Sequence, residues 1–117
     1  MKVSELKGPL LDYWVARAEG KKARIDGDKC IVETEWEVDE YSGTFIWYRP
    51  SFKWDIGGPI IERERMLLVP RPDGGWSATT TSSDRGWGDT ALEAAMRCFV
   101  ASRFGVNVPD QIEEENL

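Results

Sequence analysis

Apolar positions recur along this chain with two periods, and the change from one to the other divides it into helix, strands and helix. Leu11, Trp14, Val15 and Ala18 fall at i, i+3, i+4 and i+7, one face of an α-helix. Pro9 has the fixed φ that suits a first helical turn, and Gly20 supplies a stop. The spacing predicts a helix over residues 9–19. Beyond the Asp26-Gly27 turn the period changes to two. Cys30, Val32, Thr34, Trp36 and Val38 share one face while Ile31, Glu33, Glu35 and Glu37 share the other, as in a half-buried strand over 30–38. Tyr41 to Gly43 reads as a turn, and the aromatic and β-branched run 44–48 as a second strand.

Residues 50–58 lack either period and carry Pro50, Gly57 and Gly58, which predicts a loop leading to Pro59. Residues 59–65 are ambiguous, with Pro59 suited to the first position of a short helical turn, and 66–69 fit a strand better. Strong turn punctuation over 70–75, followed by strand composition over 76–81, predicts a hairpin. Residues 82–88 read as a polar loop. Thr90 and Glu93 then have the spacing of a capping box, and Leu92, Ala95, Met96, Phe99 and Val100 continue at helical spacing until Gly105.

The order is helix, three or four strands with short connections, then helix. It predicts an α+β sandwich of one domain over residues 1–112, an antiparallel sheet of about four strands with an N-terminal and a C-terminal helix packed on it. Residues 113–117 form an acidic C-terminal tail. A length of 117 residues with 41% hydrophobic content suffices for one core.

Charge narrows the partners. With 21 acidic and 15 basic residues the net charge is −6, which disfavours duplex nucleic acid and anionic lipid surfaces. No stretch approaches a membrane span or a signal-peptide core, so a cytoplasmic protein is expected. Cys30 and Cys98 are far apart without a CxxC pattern and read as small apolar side chains. No metal-ligand set and no cofactor motif is visible.

The chain has six tryptophans and no histidine, so the commonest general base and metal ligand is missing while large stacking surfaces are abundant. Trp14 and Trp36, on apolar faces, are assigned to packing. Tyr48, Phe52, Trp54 and Trp87 stand in or beside loops where a planar ligand can stack, with Arg49, Arg63 or Arg85 available for phosphate. Gly57 and Gly58 allow close backbone approach, and a helix N-terminus after them would favour an anion. Glu62 and Glu64 are the one carboxylate pair suited to hydrolysis, but Arg63 and Arg65 interleave them, as in a solvated ion-pair strand. Asp55 beside Trp54 is a further acid. Ser51 and Ser83 have no histidine to activate them.

Three blocks resemble the NinX-like family of small bacteriophage proteins: residues 6–20, 48–65 and 88–105. The middle block is the most specific, since Ser51-Phe-Lys-Trp-Asp-Ile-Gly-Gly58 is similar to the family's Ser-Thr-Asp-Trp-Ala-Gln-Gly-Gly. The resemblance implies a phage or prophage origin and a compact sandwich, and it points to binding more than to turnover. The resulting expectation is a non-enzymatic accessory protein acting in the host cytoplasm, binding a small nucleotide-like ligand such as an immune signalling molecule, as a monomer or homo-oligomer. The expected ligand-binding residues are Tyr48, Arg49, Trp54, Asp55, Gly57, Gly58, Glu62, Arg63 and Arg65. An adaptor or inhibitor of a host protein is the second reading, and a small hydrolase using Glu62 and Glu64 the third.

Overall fold

The computed structural model describes residues 1–33 and 45–110. A single 3-10 turn at Val3–Glu5 precedes α1, Gly8–Ala18. Next come β1, Ala23–Asp26, β2, Lys29–Glu33, and β3, Phe45–Trp47. The chain continues through α2, Trp54–Glu64, then β4, Leu67–Pro70, β5, Trp76–Thr79, and β6, Arg85–Gly88. It closes with α3, Ala91–Phe104. The expected continuation of β2 to Val38 with Trp36 in the core, the turn at 41–43 and the acidic tail lie outside the described residues.

The α+β class is as the patterning predicts, but the strands divide differently. Instead of one sheet of about four strands, the described residues form two antiparallel sheets of three, in the orders β1-β2-β3 and β4-β5-β6. Each helix covers its own sheet: α1 lies on β1 and β2, α3 lies on β4, β5 and β6, and the two helices pack against each other between the sheets. The alternation read over β2 holds, with Cys30 and Val32 buried toward α1 and Lys29 and Glu33 exposed. On the outer face Phe45 opposes Glu33 and Trp47 opposes Ile31. Those two rings lie under cations, Arg24 over Phe45 at 4.5 Å and Lys29 over Trp47 at 4.8 Å from the ring centroids.

Residues 85–88 are a strand, where the sequence reads as a polar loop. Glycine weakens a strand by itself, so Arg-Gly-Trp-Gly carries little β signal. Packing supplies the reason for both glycines. A Cβ at Gly86 would lie 2.5 Å from the Cys98 nitrogen and still closer to the Ala94 carbonyl oxygen. At Gly88 it would lie 2.7 Å from the Ala94 nitrogen. The backbone of α3 therefore rests directly on that of β6, a contact that only glycine permits.

α3 begins as the sequence indicates. The Thr90 hydroxyl accepts from the Glu93 N–H at 3.1 Å, and the Glu93 carboxylate accepts from the Asp89 N–H at 3.0 Å, one residue outside the usual capping box. Arg97, one turn later, donates to the Leu6 carbonyl at 2.8 Å and the Trp87 carbonyl at 2.7 Å, tying the N-terminal segment to β6 across α3. Both cysteines are free and buried, and burial pushes Cys30 up to about 12 and Cys98 up to about 11. They serve as small apolar groups. No helix among the described residues is long and apolar enough to cross a membrane.

Gly86→Ala drives a methyl group into the α3 backbone, which has no rotamer with which to yield. Its unfolding free energy in urea, followed by tryptophan fluorescence, is expected to fall by about 3 kcal/mol. A loss below about 0.5 kcal/mol would show that the helix can lift off without penalty.

Candidate functional site

The strongest chemical feature of the molecule grows from α1. Leu11, Tyr13, Trp14, Val15 and Ala16 are buried, and in that run Asp12 is only 1% exposed. A carboxylate in that position demands a partner. The turn after β3 provides one: Phe52 and Lys53 donate backbone N–H bonds to the Arg49 carbonyl, and this brings the Ser51 N–H to Asp12 Oδ1 at 2.9 Å. Burial nevertheless dominates and raises the Asp12 pKa to about 6, against the opposing pull of Ser51 and the Arg49 charge.

Asp12 borders a cleft of about 250 Å3 whose other walls are Pro9, Asp28, Trp47, Arg49 and Phe52. The Arg49 guanidinium stacks on the Trp47 ring, 3.5 Å from its centroid. One buried polar atom of the cleft wall, Arg49 Nε, has no hydrogen-bond partner among the described residues. Phe52 projects from the turn at 66% exposed. A buried donor, a carboxyl of intermediate pKa and an open ring thus border one small volume, a combination enriched at functional sites.

The residues expected to bind a ligand are separated by the fold. Tyr48 is buried, its N–H bonded to the Cys30 carbonyl at 2.8 Å, so its ring packs inward, where burial raises its pKa. Arg49 belongs to the cleft. Trp54 and Asp55 open α2, with Trp54 56% exposed and Asp55 in the first turn, where a carboxylate suits the helix dipole. Residues 54–58 are helical and not loop, and Pro59 lies inside α2 and not at its first position. The helix tolerates it because the only intrahelical bond forfeited is the one to the Asp55 carbonyl.

Gly57 and Gly58 consequently sit within the helix, with different surroundings. A Cβ on Gly57 would strike the Pro50 carbonyl oxygen and stand 2.7 Å from Leu92 Cδ2, whereas one on Gly58 meets only the Trp54 ring at 3.9 Å. Close packing of α2 against the 49–52 turn explains the first and not the second. Glu62, Arg63 and Arg65 fall at the far end of α2. Arg63 donates to both Glu19 oxygens at 2.6 and 3.1 Å and to Glu64 at 2.9 Å, and Glu64 also pairs with Arg103 at 3.1 Å. Arg65 caps α2 in the left-handed region at φ 54°. Glu19 follows α1 while Asp12 is in its first half, so about 10 Å of helix rise separates this ion-pair cluster from the cleft.

Burial raises the Glu64 pKa, but Arg63 and Arg103 outweigh it and leave the carboxyl below its ordinary value. The carboxyl able to hold a proton near neutrality is Asp12, which sequence reading missed along with Asp28. The signal was present: Asp12 is the lone charge in Leu10-Leu-Asp-Tyr-Trp-Val-Ala16.

A family model described as Bacteriophage P22, NinX matches residues 2–103 of the chain. Among curated proteins no match is found.

Between about pH 4 and pH 6 the folded protein keeps the Asp12 proton that the unfolded chain has released near 3.8, so the native state binds more protons there. This contribution to stability is complete below about pH 4 and lost as pH rises through 6. Asp12→Asn removes it. The difference in unfolding free energy between wild type and variant should therefore change by about 3 kcal/mol from pH 4 to 7, in the direction that favours the variant at the higher pH. A constant difference would place the Asp12 pKa at its ordinary value. For the neighbouring glycines, Gly57→Ala is expected to cost about 2 kcal/mol and Gly58→Ala to gain about 0.5 kcal/mol, measured in the same urea titrations. Equal effects would contradict the asymmetry.

Proposed function

The chain belongs to the bacteriophage P22 NinX family, and from that premise we propose that this phage accessory protein acts in the host cytoplasm by capturing a small nucleotide-like ligand without turning it over. The observation that carries the proposal is the Asp12 cleft, where Arg49 Nε is buried without a partner beside a carboxyl of pKa about 6. A nucleobase edge offers the donors and acceptors that would satisfy both, and the exposed Phe52 ring gives a stacking face. Trp54, also exposed, extends that face along the 49–54 turn. The ion-paired Arg63 is a structural tie between α1 and α2 in this reading, and Arg65 remains available at the end of α2 for a larger ligand's phosphate.

Capture in place of catalysis follows from the residue supply. The chain has no histidine, and its thiols are buried with raised pKa values. A hydrolase built on Glu62 and Glu64 would need one of them to stay protonated, whereas Glu64 is held ionised by two arginines.

One observation favours a host protein as partner. Phe45, Ile46 and Trp47 are each more than 40% exposed on consecutive positions of β3, and Phe52 and Trp54 add to them. Aromatic residues of this kind anchor protein interfaces. A stoichiometric host protein retained by the wild type but not by an Ile46→Asp variant would establish that second reading.

Calorimetric titration with a panel of nucleobases and nucleotides tests the first. Binding by wild type, weakened about tenfold or more by Arg49→Ala and by Asp12→Asn with the fold preserved, is the expected result. Heat that is absent across the panel, or unchanged in both variants, would remove the cleft from consideration.

A further inference from the structure

Two recesses on the second sheet meet at Trp87, and neither takes part in the Asp12 cleft. One, of about 280 Å3, opens between the N-terminal segment, β6 and the end of α3, with Val3, Gly86 and Ala101 among its walls and Lys2 and Arg85 beside them. The other, of about 470 Å3, runs from Trp87 to the turn between β4 and β5, where Arg71 and Asp73 stand. Trp87 is 48% exposed, with the Arg71 guanidinium 5.9 Å from its ring centroid. It alternates outward between Gly86 and Gly88, which face α3, so it serves neither the core nor the helix contact.

Charge here runs against the whole chain. The net charge is −6, yet no Asp or Glu lines the first recess, which holds Lys2, Arg85 and Arg97. Arg97 is committed to the Leu6 and Trp87 carbonyls and to Glu93. The Lys2 ammonium and the Arg85 guanidinium have no hydrogen bond or ion pair among the described residues. Two uncommitted cations, a half-exposed indole and an apolar wall are the parts that an aromatic phosphate needs. The ring stacks on tryptophan, arginine grips the phosphate with its planar fork, and lysine adds a point charge. The Asp12 cleft has the opposite character, since Asp12 and Asp28 both border it.

We propose that Trp87, Arg85 and Lys2 form a second ligand site, specific for a planar aromatic ring that carries a phosphate. It is independent of the reading given to the Asp12 cleft, and the two are separable by variant. Adenosine 5′-monophosphate is the probe, with adenosine and inorganic phosphate as controls bearing one feature each. In amide-proton NMR of the 15N-labelled protein, the nucleotide should shift the Trp87 indole N–H and the backbone amides of Lys2, Arg85 and Asn107. The affinity read from the Lys2 and Asn107 amides should fall about tenfold in Arg85→Ala, and likewise in Trp87→Ala. Both controls should bind more weakly than the nucleotide. Trp87→Phe keeps a ring and should bind better than Trp87→Ala, and Lys2→Ala with Arg85→Ala gives a surface variant that tests the site even if Trp87→Ala does not fold. Shifts confined to the surroundings of Asp12 and Arg49, unchanged affinity at the Asn107 amide in the Lys2 and Arg85 double variant, or no shifts at millimolar nucleotide would each overturn the proposal.

Discussion

Direct contact between the backbones of α3 and β6 is the constraint on which the remaining architecture depends. Two glycines permit it, since side chains at 86 and 88 would occupy space held by the main chain of α3 at Ala94 and Cys98. With the helix seated that low, Arg97 reaches over the strand to the Trp87 carbonyl and back to the Leu6 carbonyl, which fixes the N-terminal segment against the same layer. The other side of α3 receives α1, and α1 in turn carries the first sheet. Each layer is thus located by the one before it. A helix raised by the thickness of a methyl group would disturb the bonds of Arg97 and the packing of Phe99 and Met96 together, because close-packed interiors transmit displacement.

The same chain of contacts creates the cleft. Because α1 is held between α3 and the first sheet, the start of the helix is not free to rotate Asp12 toward solvent, and its carboxyl must find satisfaction from the turn that covers it. One Ser51 N–H bond and a neighbouring guanidinium do not compensate for desolvation, as the raised pKa records. A buried carboxyl that destabilises the free protein is a pattern met at binding sites, where local stability is exchanged for readiness. The Glu19–Arg63–Glu64–Arg103 cluster behaves otherwise. Its groups are mutually satisfied, partly exposed and situated at helix ends, which suits a tie between α1, α2 and α3.

Much of this was legible from residues alone where local pattern and tertiary demand agree. Leu11, Trp14 and Val15 announce α1, Thr90 and Glu93 announce the start of α3, and Cys30 and Val32 announce the inner face of β2. The failures occur where tertiary contact overrules composition. Gly86 and Gly88 make β6 look like a loop because they are selected for what lies above them and not for strand propensity. Gly57-Gly-Pro59 looks like punctuation, yet Gly57 is there to admit the Pro50 carbonyl to a helix. Arg49 stands out in sequence because it adjoins aromatics, and it stacks on one of them, Trp47. Asp12 does not, since its burial is imposed by Ser51, thirty-nine positions away in sequence. Arg63 looked available for phosphate for the complementary reason: its partner Glu19 belongs to another helix.

The scarcity of histidine acquires its meaning from these placements. In a chain without imidazole, Asp12 is the carboxyl among the described residues that its surroundings bring toward neutrality, and burial is the cause. A proton taken up there changes a hydrogen-bond acceptor into a donor at the border of a cleft that also holds the unpartnered Arg49 Nε. In the proposed capture, ligand choice at that place would respond to pH through this switch in hydrogen-bond pattern, with the net charge of the cleft altering in the same step. At the site proposed around Trp87, recognition would rest on the lysine and arginine groups and on ring stacking. The two proposed sites differ in kind, one suited to donors and acceptors and the other to charge, and the layers that α1 and α3 impose are what keep them apart.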